Sequence, residues 1–329
     1  MSYQRILTPR IYVDNINWLL TLGRIDAGDI TIVGGSSMAS GSSVIEMFDL
    51  RPSNIQTISC NGSSTAIGIR IDTNIATDTS QDANFLAILS HNLSTATAKF
   101  KIITDDDTNF GSVDTPTMTE VYNASISGGY ATPGHAGWSL VTFNYAGTNN
   151  NRYVKIEFDD TGSGYGADIQ IGAILFGEYL DFPHSPNLDI RKSLIYDGIN
   201  RQDSVGGSTY SNASFIASPD WVKPPFTTSS NPLRKTGRIL YDLNFSYIND
   251  TDLFPEKLFN AGDLATSNNI MTNLYQRTLS GHHPFLFQPD KDTATKDDSF
   301  LWCRINSEFE ATQVSNNVWN TKLSLRETW

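Results

Sequence analysis

The chain has 329 residues, which is enough for two domains with a hydrophobic core each. Charged residues make up 18% of it and the net charge is -12, which excludes a general affinity for nucleic acid or anionic membranes, although the total hides any local basic patch. The two cysteines, Cys60 and Cys303, are too far apart to indicate a disulfide framework or a metal site.

The first residues, MSYQRILTPRIYVD, contain no apolar region of the kind that a signal peptide carries. No run of the sequence approaches the ~18 apolar residues that a membrane helix needs. We therefore expect synthesis in the cytoplasm and no insertion into a membrane.

The first half of the chain consists of short alternating segments separated by turn residues. In Tyr153–Phe158, for example, Val154, Ile156 and Phe158 share one face of a strand. Many short strands of this kind predict a β-sandwich. The predicted strands are Ile30–Val33, Ser43–Phe48, Ile55–Ser59, Ala66–Ile71, Phe85–Leu89, Ala98–Ile103, Leu140–Asn144, Tyr153–Phe158 and Ile169–Phe176.

The run FLAILSHNLS at Phe85–Ser94, followed by the strand Ala98–Ile103, resembles the galactose-binding-like (discoidin-like) jelly roll. The closing strands Tyr153–Phe158 and Ile169–Phe176 fit the same family. The resemblance implies a jelly-roll β-sandwich over residues 1–182. It also implies that this segment is a candidate for binding sugars on a host surface.

Three aromatic residues, Trp18, Tyr130 and Trp138, are candidate glycan contacts, because aromatic faces stack on the apolar faces of sugars. The alternative is ordinary packing in the core or in loops. His91 is either a ligand contact or a histidine bonded to local backbone.

Acidic residues at Asp105, Asp106, Asp107 and Asp114 could supply oxygen ligands for calcium, but their spacing is not that of an EF-hand. A solvated acidic loop is the alternative. The pair His282-His283 reads as a turn before a strand rather than a metal or catalytic pair. We expect no catalytic cluster, no metal site and no cofactor.

Two prolines, Pro183 and Pro186, end the first segment, and the division predicts a second domain over residues 183–329. A strand at Ile190–Tyr196 is followed by Asp197-Gly198, which predicts a hairpin turn. The proline-rich stretch 211–235 predicts an extended arm.

The rest of the second segment predicts one long strand, two short helices and a closing meander. The long strand alternates cleanly, with one buried and one wet face. The predicted elements are the strand Gly237–Tyr247, the helices Leu253–Asn260 and Ser267–Leu279, and the strands Pro284–Gln288, Ser299–Asn306, Glu308–Gln313 and Val318–Arg326. The fold class is therefore all-β with minor helix.

This ordered set of elements resembles the minor tail and distal tail proteins at the tail tip of long-tailed bacteriophages. The motifs that match are Tyr196-Asp197-Gly198 with Gln202, the strand Ile239–Tyr247, the run His283–Phe287 and the ending Lys322–Trp329. The resemblance implies a hub-like domain that forms a homo-oligomeric ring of six subunits, without catalysis. It also implies a location in the virion, contacts with tube, hub and fibre proteins, and DNA passing at most through the lumen.

Within the arm, the candidates for contact with a neighbouring subunit are Trp221, Pro224, Pro225 and Phe226. An extended arm adds interface area without needing its own core. The alternative function is a carbohydrate-binding module protein without a virion role. A hydrolase ranks last, because no paired acid and base can be named.

Overall fold

The computed structural model describes residues 6–74, 83–144, 152–213, 218–222, 236–255, 269–292 and 300–329. In these ranges the chain is nearly all-β, with antiparallel sheets and a few short helices. Its fold includes a jelly-roll β-sandwich. The predicted fold class is confirmed.

In the first segment, short strands dominate and the helices are brief. The helix α1 spans Ile16–Thr21, and single turns of 3-10 helix lie at Ala27–Asp29 and Ile45–Phe48. The strands are β1 (Arg10–Asp14), β2 (Ile30–Gly34), β3 (Ser37–Met38), β4 (Gln56–Ser59), β5 (Ile67–Asp72), β6 (Phe85–His91), β7 (Ala98–Asp105), β8 (Thr117–Tyr122), β9 (Ser125–Ser127), β10 (Tyr130–Thr132), β11 (Gly137–Asn144), β12 (Tyr153–Asp160), β13 (Ile169–Ile171) and β14 (Ala173–Asp181).

The second segment contains longer strands. Its helical turns are the 3-10 helix Asp220–Val222, the helix α2 (Asp250–Leu253) and the π-helix Met271–Gln276. The strands are β15 (Arg191–Ile195), β16 (Ile199–Asp203), β17 (Thr209–Ala213), β18 (Arg238–Asn249), β19 (Phe285–Gln288), β20 (Leu301–Ile305), β21 (Ala311–Ser315) and β22 (Val318–Glu327).

The sandwich is built from two facing sheets. One sheet has the order β2-β5-β12-β7-β10-β9, and the other is part of a larger sheet containing β1-β14-β6-β11-β8. Alternate residues such as Ile69, Ile102 and Ile156 from the first sheet pack with Leu86 and Ile88 from the second. This core follows from the period-two patterns visible in the sequence.

The larger sheet is apolar on both faces where β6, β11 and β14 lie. Leu86 and Ile88 point into the sandwich core, whereas Phe85 and Leu89 belong to a separate cluster on the opposite face. Strands buried on both faces are continuous apolar runs rather than alternating ones. The cover over this second face includes Trp221 of the second segment.

Strand β1 connects the two predicted segments. It pairs with β14 through Ile11↔Leu180 and with β19 through Ile11↔Phe287, so one sheet runs in the order β15-β18-β22-β20-β19-β1-β14-β6-β11-β8, with β21 beside β22. The segments therefore share a sheet and are not joined only at the seam near Pro183. The domain limits 1–182 and 183–329 themselves remain a prediction.

A second core lies between the β18–β20 part of this sheet and the π-helix. Tyr241, Leu243 and Leu323 pack there with Ile270 and Leu274. A helix this short is stable only when it packs on a sheet.

A buried ion pair lies where the two segments meet. Arg277 Nη1 donates to Glu178 Oε2 of β14 at 2.7 Å and to Asn15 Oδ1 at 3.1 Å, and both charged side chains are almost fully buried. A buried charge is tolerated when it is paired and hydrogen-bonded. This contact links the π-helical region to the sandwich.

Several predicted elements need correction. The predicted strand Ser43–Phe48 contains the 3-10 helix Ile45–Phe48 instead, which buries Met47 and Phe48 in succession, as an alternating strand with one buried face cannot do. Asp197-Gly198 does not close a hairpin, because β15 pairs with β18 and β16 pairs with β17.

The helices of the second segment differ in position from the predicted ones. α2 ends at Leu253, and the predicted helix from Ser267 is described only from Asn269, with a π-helix at its centre. The remainder of the first of these two predictions, up to Asn260, lies outside the described residues.

Candidate functional site

The hairpin β16–β17 extends from the rest of the fold as a two-stranded sheet of its own. Within the described residues β16 pairs only with β17, through positions such as Arg201↔Ser211 and Gln202↔Tyr210. Four of the five residues of β16 are exposed. Both faces of this sheet are therefore open to solvent.

The loop of the hairpin is held by local hydrogen bonds. Ser204 N donates to Ser208 O at 2.8 Å, and Ser208 N donates to Ser204 Oγ at 3.0 Å. Gly207 has φ of 81°, a conformation that favours glycine. Thr209 Oγ1 donates to Asp203 Oδ1 at 2.7 Å across the strand ends. The turn is thus formed by its own residues.

Large apolar side chains are exposed along and beside this hairpin. Val205 in the loop is fully exposed, and Tyr210 on β17 is 66% exposed. Leu188, Leu194 and Tyr196 precede the hairpin and are also exposed. Such a concentration of exposed apolar residues in one segment is typical of protein–protein contact sites.

A polar pocket of about 500 Å³ lies on the solvent side of β18 and β22. Amides, hydroxyl groups and charged side chains of both signs line it, and Phe245 contributes apolar surface. The lining residues are Asn187, Asp189, Asn244, Phe245, Ser246, Glu310, Thr312, Asn320, Thr321 and Lys322.

Side-chain hydrogen bonds hold one wall of this pocket against β18. Asn187 Nδ2 donates to Ser246 Oγ at 2.8 Å, and Asn244 Nδ2 donates to Asp189 Oδ2 at 2.7 Å. The opposite wall is tied to β22, since Thr321 Oγ1 donates to Glu310 O at 2.8 Å. The pocket is therefore preformed by the chain itself.

Tyr247 lies directly beside this pocket at an irregularity in β18. The register with β22 shifts between Phe245 and Ile248, and Tyr247 has φ of 63°, which is uncommon for a residue other than glycine. Its backbone N–H donates to Asn320 Oδ1 at 3.1 Å, and its side chain is 75% exposed. The bulge thus leaves the Tyr247 side chain exposed to solvent, while its backbone contacts Asn320, a lining residue of the pocket.

The structure does not bring the three predicted glycan contacts together. Trp18 lies on α1, where the Arg277 guanidinium is 5.7 Å from its ring centroid. Tyr130 lies on β10, with Lys99 and Lys101 each 4.6 Å from its ring centroid. Trp138 lies on β11, in the other sheet, and is buried in a stack with Tyr122 at 4.0 Å. No finding tests whether any of them contacts sugar.

The predicted arm 211–235 is described only in part: residues 211–213 belong to β17 rather than to an arm, and Trp221 packs within its own chain. It is buried against the apolar face that contains Leu89 and Trp138, and the 3-10 helix around it contacts β6 and β11. Pro224, Pro225 and Phe226 lie outside the described residues. The use of this arm between subunits remains a prediction.

His91 is buried at the end of β6 and has local partners. Its Nε2 lies 2.8 Å from Ser139 Oγ, and its Nδ1 accepts from Leu93 N at 3.3 Å. Burial lowers the pKa of His91 to about 3, so the imidazole is neutral in the folded protein. These contacts match the alternative in which His91 is bonded to local groups.

A carboxylate of the acidic run accepts hydrogen bonds from the backbone of the loop that follows it. Asp105 accepts hydrogen bonds from the backbone N–H groups of Asp107 and Ser112, at 3.1 and 3.0 Å.

The His282 and His283 ring centroids are 5.0 Å apart, and His283 Nε2 is 3.3 Å from Thr21 Oγ1.

Across the ranges that the structure describes, no group of three or more His, Cys, Asp or Glu side chains is placed to hold a metal ion. In the same ranges no helix is long and apolar enough to cross a membrane. Cys60 and Cys303 are both free and buried.

The sequence reasoning missed both the hairpin β16–β17 and the polar pocket. A signal for the hairpin existed in Gly206-Gly207, between two short polar strands, but the exposed position of Val205 has no sequence signature. The pocket joins residues from 187 to 322, and its convergence depends on the pairing of β18 with β22.

No protein-family model matches the sequence, and no curated protein matches it either. Two solved structures are similar to part of the chain. One is CBM32-1 from a family 31 glycoside hydrolase from Clostridium perfringens, which is 14% identical, with 46% of this chain and 94% of that chain covered and a TM-score of 0.31. The other is chitosan-binding module 1 from a chitosanase/glucanase of Paenibacillus sp. IK-5, which is 19% identical, with 45% and 94% covered and a TM-score of 0.30. Similarities at this level carry no argument about function.

Proposed function

We propose that this chain is a non-catalytic structural subunit that assembles with copies of itself into a ring, using the hairpin β16–β17 as its main contact. The observation that carries the proposal is the two-stranded hairpin that exposes Val205 and Tyr210 and has no further strand beside it in the described residues. We further propose that this ring lies at the tail tip of a phage, because the C-terminal motifs resemble those of phage tail-tip proteins.

An isolated two-stranded hairpin is only marginally stable in water, and its open edges can accept a strand from another chain. Contact with a second copy would cover both the edges and the apolar side chains. The hairpin of one subunit would then lie against a different surface of the next, which is the head-to-tail contact that closes into a ring.

The charge distribution supports a second copy as the partner. Residues 188–213 contain three basic residues (Arg191, Lys192 and Arg201) and three acidic residues (Asp189, Asp197 and Asp203), so this segment is neutral although the chain carries -12. A neutral segment can approach the acidic surface of another copy without net repulsion.

The test compares the assembly of wild type with that of a Val205→Ser/Tyr210→Ser variant by light scattering and negative-stain microscopy. The matched control is Leu22→Ser/Val113→Ser, which removes two other exposed apolar side chains, far from the hairpin in sequence. We expect rings from wild type and from the control, and folded monomers from the hairpin variant. A wild-type monomer at high concentration, or rings from the hairpin variant, would contradict the proposal.

A second candidate function is carbohydrate binding, which the polar pocket and Tyr247 favour. Sugars are bound by amide, hydroxyl and carboxylate groups that orient them beside an aromatic face. Here Asn244 and Asn320 line the pocket, and the exposed Tyr247, whose backbone N–H donates to Asn320 Oδ1, is the candidate aromatic contact. The pocket contains acidic and basic groups together, which suits a neutral ligand with many hydroxyl groups.

A glycan array with wild type, Tyr247→Ala and Tyr210→Ala tests this second function. The control, Tyr210→Ala, removes an exposed tyrosine of the hairpin β16–β17, whereas Tyr247 follows the lining residue Ser246 and its backbone contacts Asn320. Glycan signals that disappear in Tyr247→Ala and persist in Tyr210→Ala would support it. Absence of any signal for wild type, or equal signals from both variants, would reject the pocket as the sugar site.

A further inference from the structure

A second, smaller pocket of about 290 Å³ lies where β18, β20 and β22 meet, and three arginines line it. In a chain with net charge -12, three arginines in one pocket run against the overall charge. The lining residues are Arg238, Arg304, Ile305, Asn306, Arg326, Glu327 and Thr328.

The strand register places these arginines on one face. Arg304 of β20 and Arg326 of β22 are direct cross-strand partners, and such partners project on the same side of a sheet. Arg238 of β18 lies two residues before Leu240, the partner of Arg326, so it projects on that side as well. Like charges directly opposite each other destabilise a sheet unless something neutralises them.

The chain supplies only part of the neutralising charge. Asp197 Oδ2 accepts from both Arg238 Nη1 and Arg326 Nη2, each at 2.8 Å. This double contact lowers the pKa of the Asp197 carboxyl. Glu327 Oε2 accepts from the backbone N–H of Ile239 at 2.9 Å. Glu327 is next to Arg326 in β22, so it projects from the opposite face of the sheet, and Asp197 is the acid that contacts the arginines of the pocket.

Arg304 and Arg238 both line the pocket, and Arg238 Nη2 also donates to the backbone oxygen of Trp329 at 3.4 Å. Arg304 Nη1 donates to the backbone oxygen of His282, which is uncharged. Desolvation lowers the pKa of Arg304, although the residue is largely exposed to solvent. Arg238 Nε is buried and has no hydrogen-bond partner among the described residues. A buried guanidinium donor without a partner costs free energy that an acceptor would recover.

We propose that this pocket is a binding site for a phosphate-type oxyanion, held chiefly by Arg304 and Arg326. The planar guanidinium group presents paired N–H donors that match the oxygens of phosphate. A bound oxyanion would neutralise the cross-strand arginine pair and supply acceptors to Arg304. The site takes inorganic phosphate or the phosphate group of a larger phosphomonoester.

The experiment is calorimetric titration of the full chain with inorganic phosphate and, separately, with glycerol 3-phosphate, at constant ionic strength. We expect binding of at least one of the two, and the comparison shows which source of phosphate the pocket prefers. Arg304→Gln should weaken binding about tenfold or more, since it removes a charge-assisted contact. The control Arg51→Gln removes an exposed arginine outside the pocket and should bind as wild type does.

A variant with the opposite expected effect separates binding from a loss of folding. Asp197→Asn releases Arg238 and Arg326 from their shared carboxylate, so phosphate should bind more tightly, whereas a damaged fold would bind more weakly. Lack of heat and of any change in melting temperature with about 10 mM phosphate, a concentration that detects even millimolar affinity, would overturn the proposal. So would unchanged binding in Arg304→Gln.

Discussion

Strand β6 and the hairpin β16–β17 have the same pleated backbone and opposite surroundings. In β6, all residues but Ser90 are buried, because the sandwich core covers one face and a third apolar layer covers the other. In β16, only Ile199 is less than exposed. The comparison teaches that strand geometry alone does not set stability; the layers on each face do.

The third layer comes from the other segment. Trp221 and Phe300 pack against Phe85 and Trp138, so residues of the second segment cover a sheet face of the first. The hairpin receives no equivalent cover from the described residues. The two regions therefore differ in the surface they leave exposed: β6 is already covered on both faces, whereas the hairpin can still bury surface against another chain.

The sharpest test of this difference is to truncate one aromatic residue in each region. Phe85 is fully buried, and its ring centroid lies 5.2 Å from that of Tyr12. Phe85→Ala should therefore lower the free energy of unfolding by about 3–5 kcal/mol. Tyr210→Ala should change it by less than about 0.5 kcal/mol. Urea unfolding of the monomeric protein measures both, and similar losses would contradict the comparison.

The ion pair between Glu178 and Arg277 tests how firmly the segments depend on each other. Glu178→Leu leaves a buried guanidinium charge without its carboxylate and should cost about 3–5 kcal/mol. The double variant Glu178→Leu/Arg277→Met should recover most of that loss, because both charges are gone. Chemical unfolding of the two variants measures the difference; an equal or larger loss in the double variant would argue against the pair as described.

The buried His91 predicts a pH dependence within the β6 region. Its pKa falls from 6.5 to about 3 on folding, so its contribution to the free energy of unfolding is fully present above pH 6.5 and is lost as the pH falls toward 3. The free energy of unfolding of wild type should fall by roughly 3 kcal/mol through His91 between about pH 6.5 and 4. His91→Gln should remove that part of the slope, and His282→Gln, at an exposed histidine, should keep it.

Comparing wild type with each variant at the same pH isolates His91 from other titrating groups. Asp14, for instance, has a pKa raised to about 6 by burial, and it acts in the opposite direction, since protonation relieves its buried charge. A slope in His91→Gln equal to that of wild type would show that the histidine is not held neutral.

Gly177 tests the pairing of β14 with β1, through which the shared sheet passes. A Cβ at this position would collide with the backbone oxygen of Val13, so Gly177→Ala should cost about 1–3 kcal/mol. The control is Gly111→Ala, where a Cβ meets nothing within 4 Å and φ is not positive. Thermal unfolding compares them, and equal melting temperatures would contradict the close approach of the strands.

The smallest effect on global stability is expected in the hairpin loop. Ser204→Ala removes the side-chain acceptor of Ser208 N and should change the free energy of unfolding by less than about 0.5 kcal/mol. Its effect should be local, as faster amide hydrogen exchange in β16 and β17. A change of exchange in β6 instead would show that the two regions are coupled.

Much of the fold was predictable where one face of a strand is buried. The alternation in Tyr153–Phe158 and in Gly237–Tyr247 predicted β12 and β18, although the latter continues to Asn249. Strand β1 was missed, because its burial depends on β14 and β19, which are far away in sequence. The sequence predicts a strand where the helical turn Ile45–Phe48 lies, since a short apolar run fits either structure.

The candidate sites were less predictable than the fold. Tyr130 and Trp138 were singled out by residue type, yet they lie in different sheets. The polar pocket and the arginine pocket combine residues from separate strands, and their composition depends on strand register. A one-residue change of register would move each of these side chains to the opposite face.

Local patterns in the chain were enough for the all-β class and for most strand positions, because alternation of apolar and polar residues is a property of neighbouring residues. The shared sheet, the third layer over β6 and the two pockets arise from contacts between distant parts of the chain. Such contacts depend on register and on which surfaces meet, and neither leaves a mark in a single run of residues.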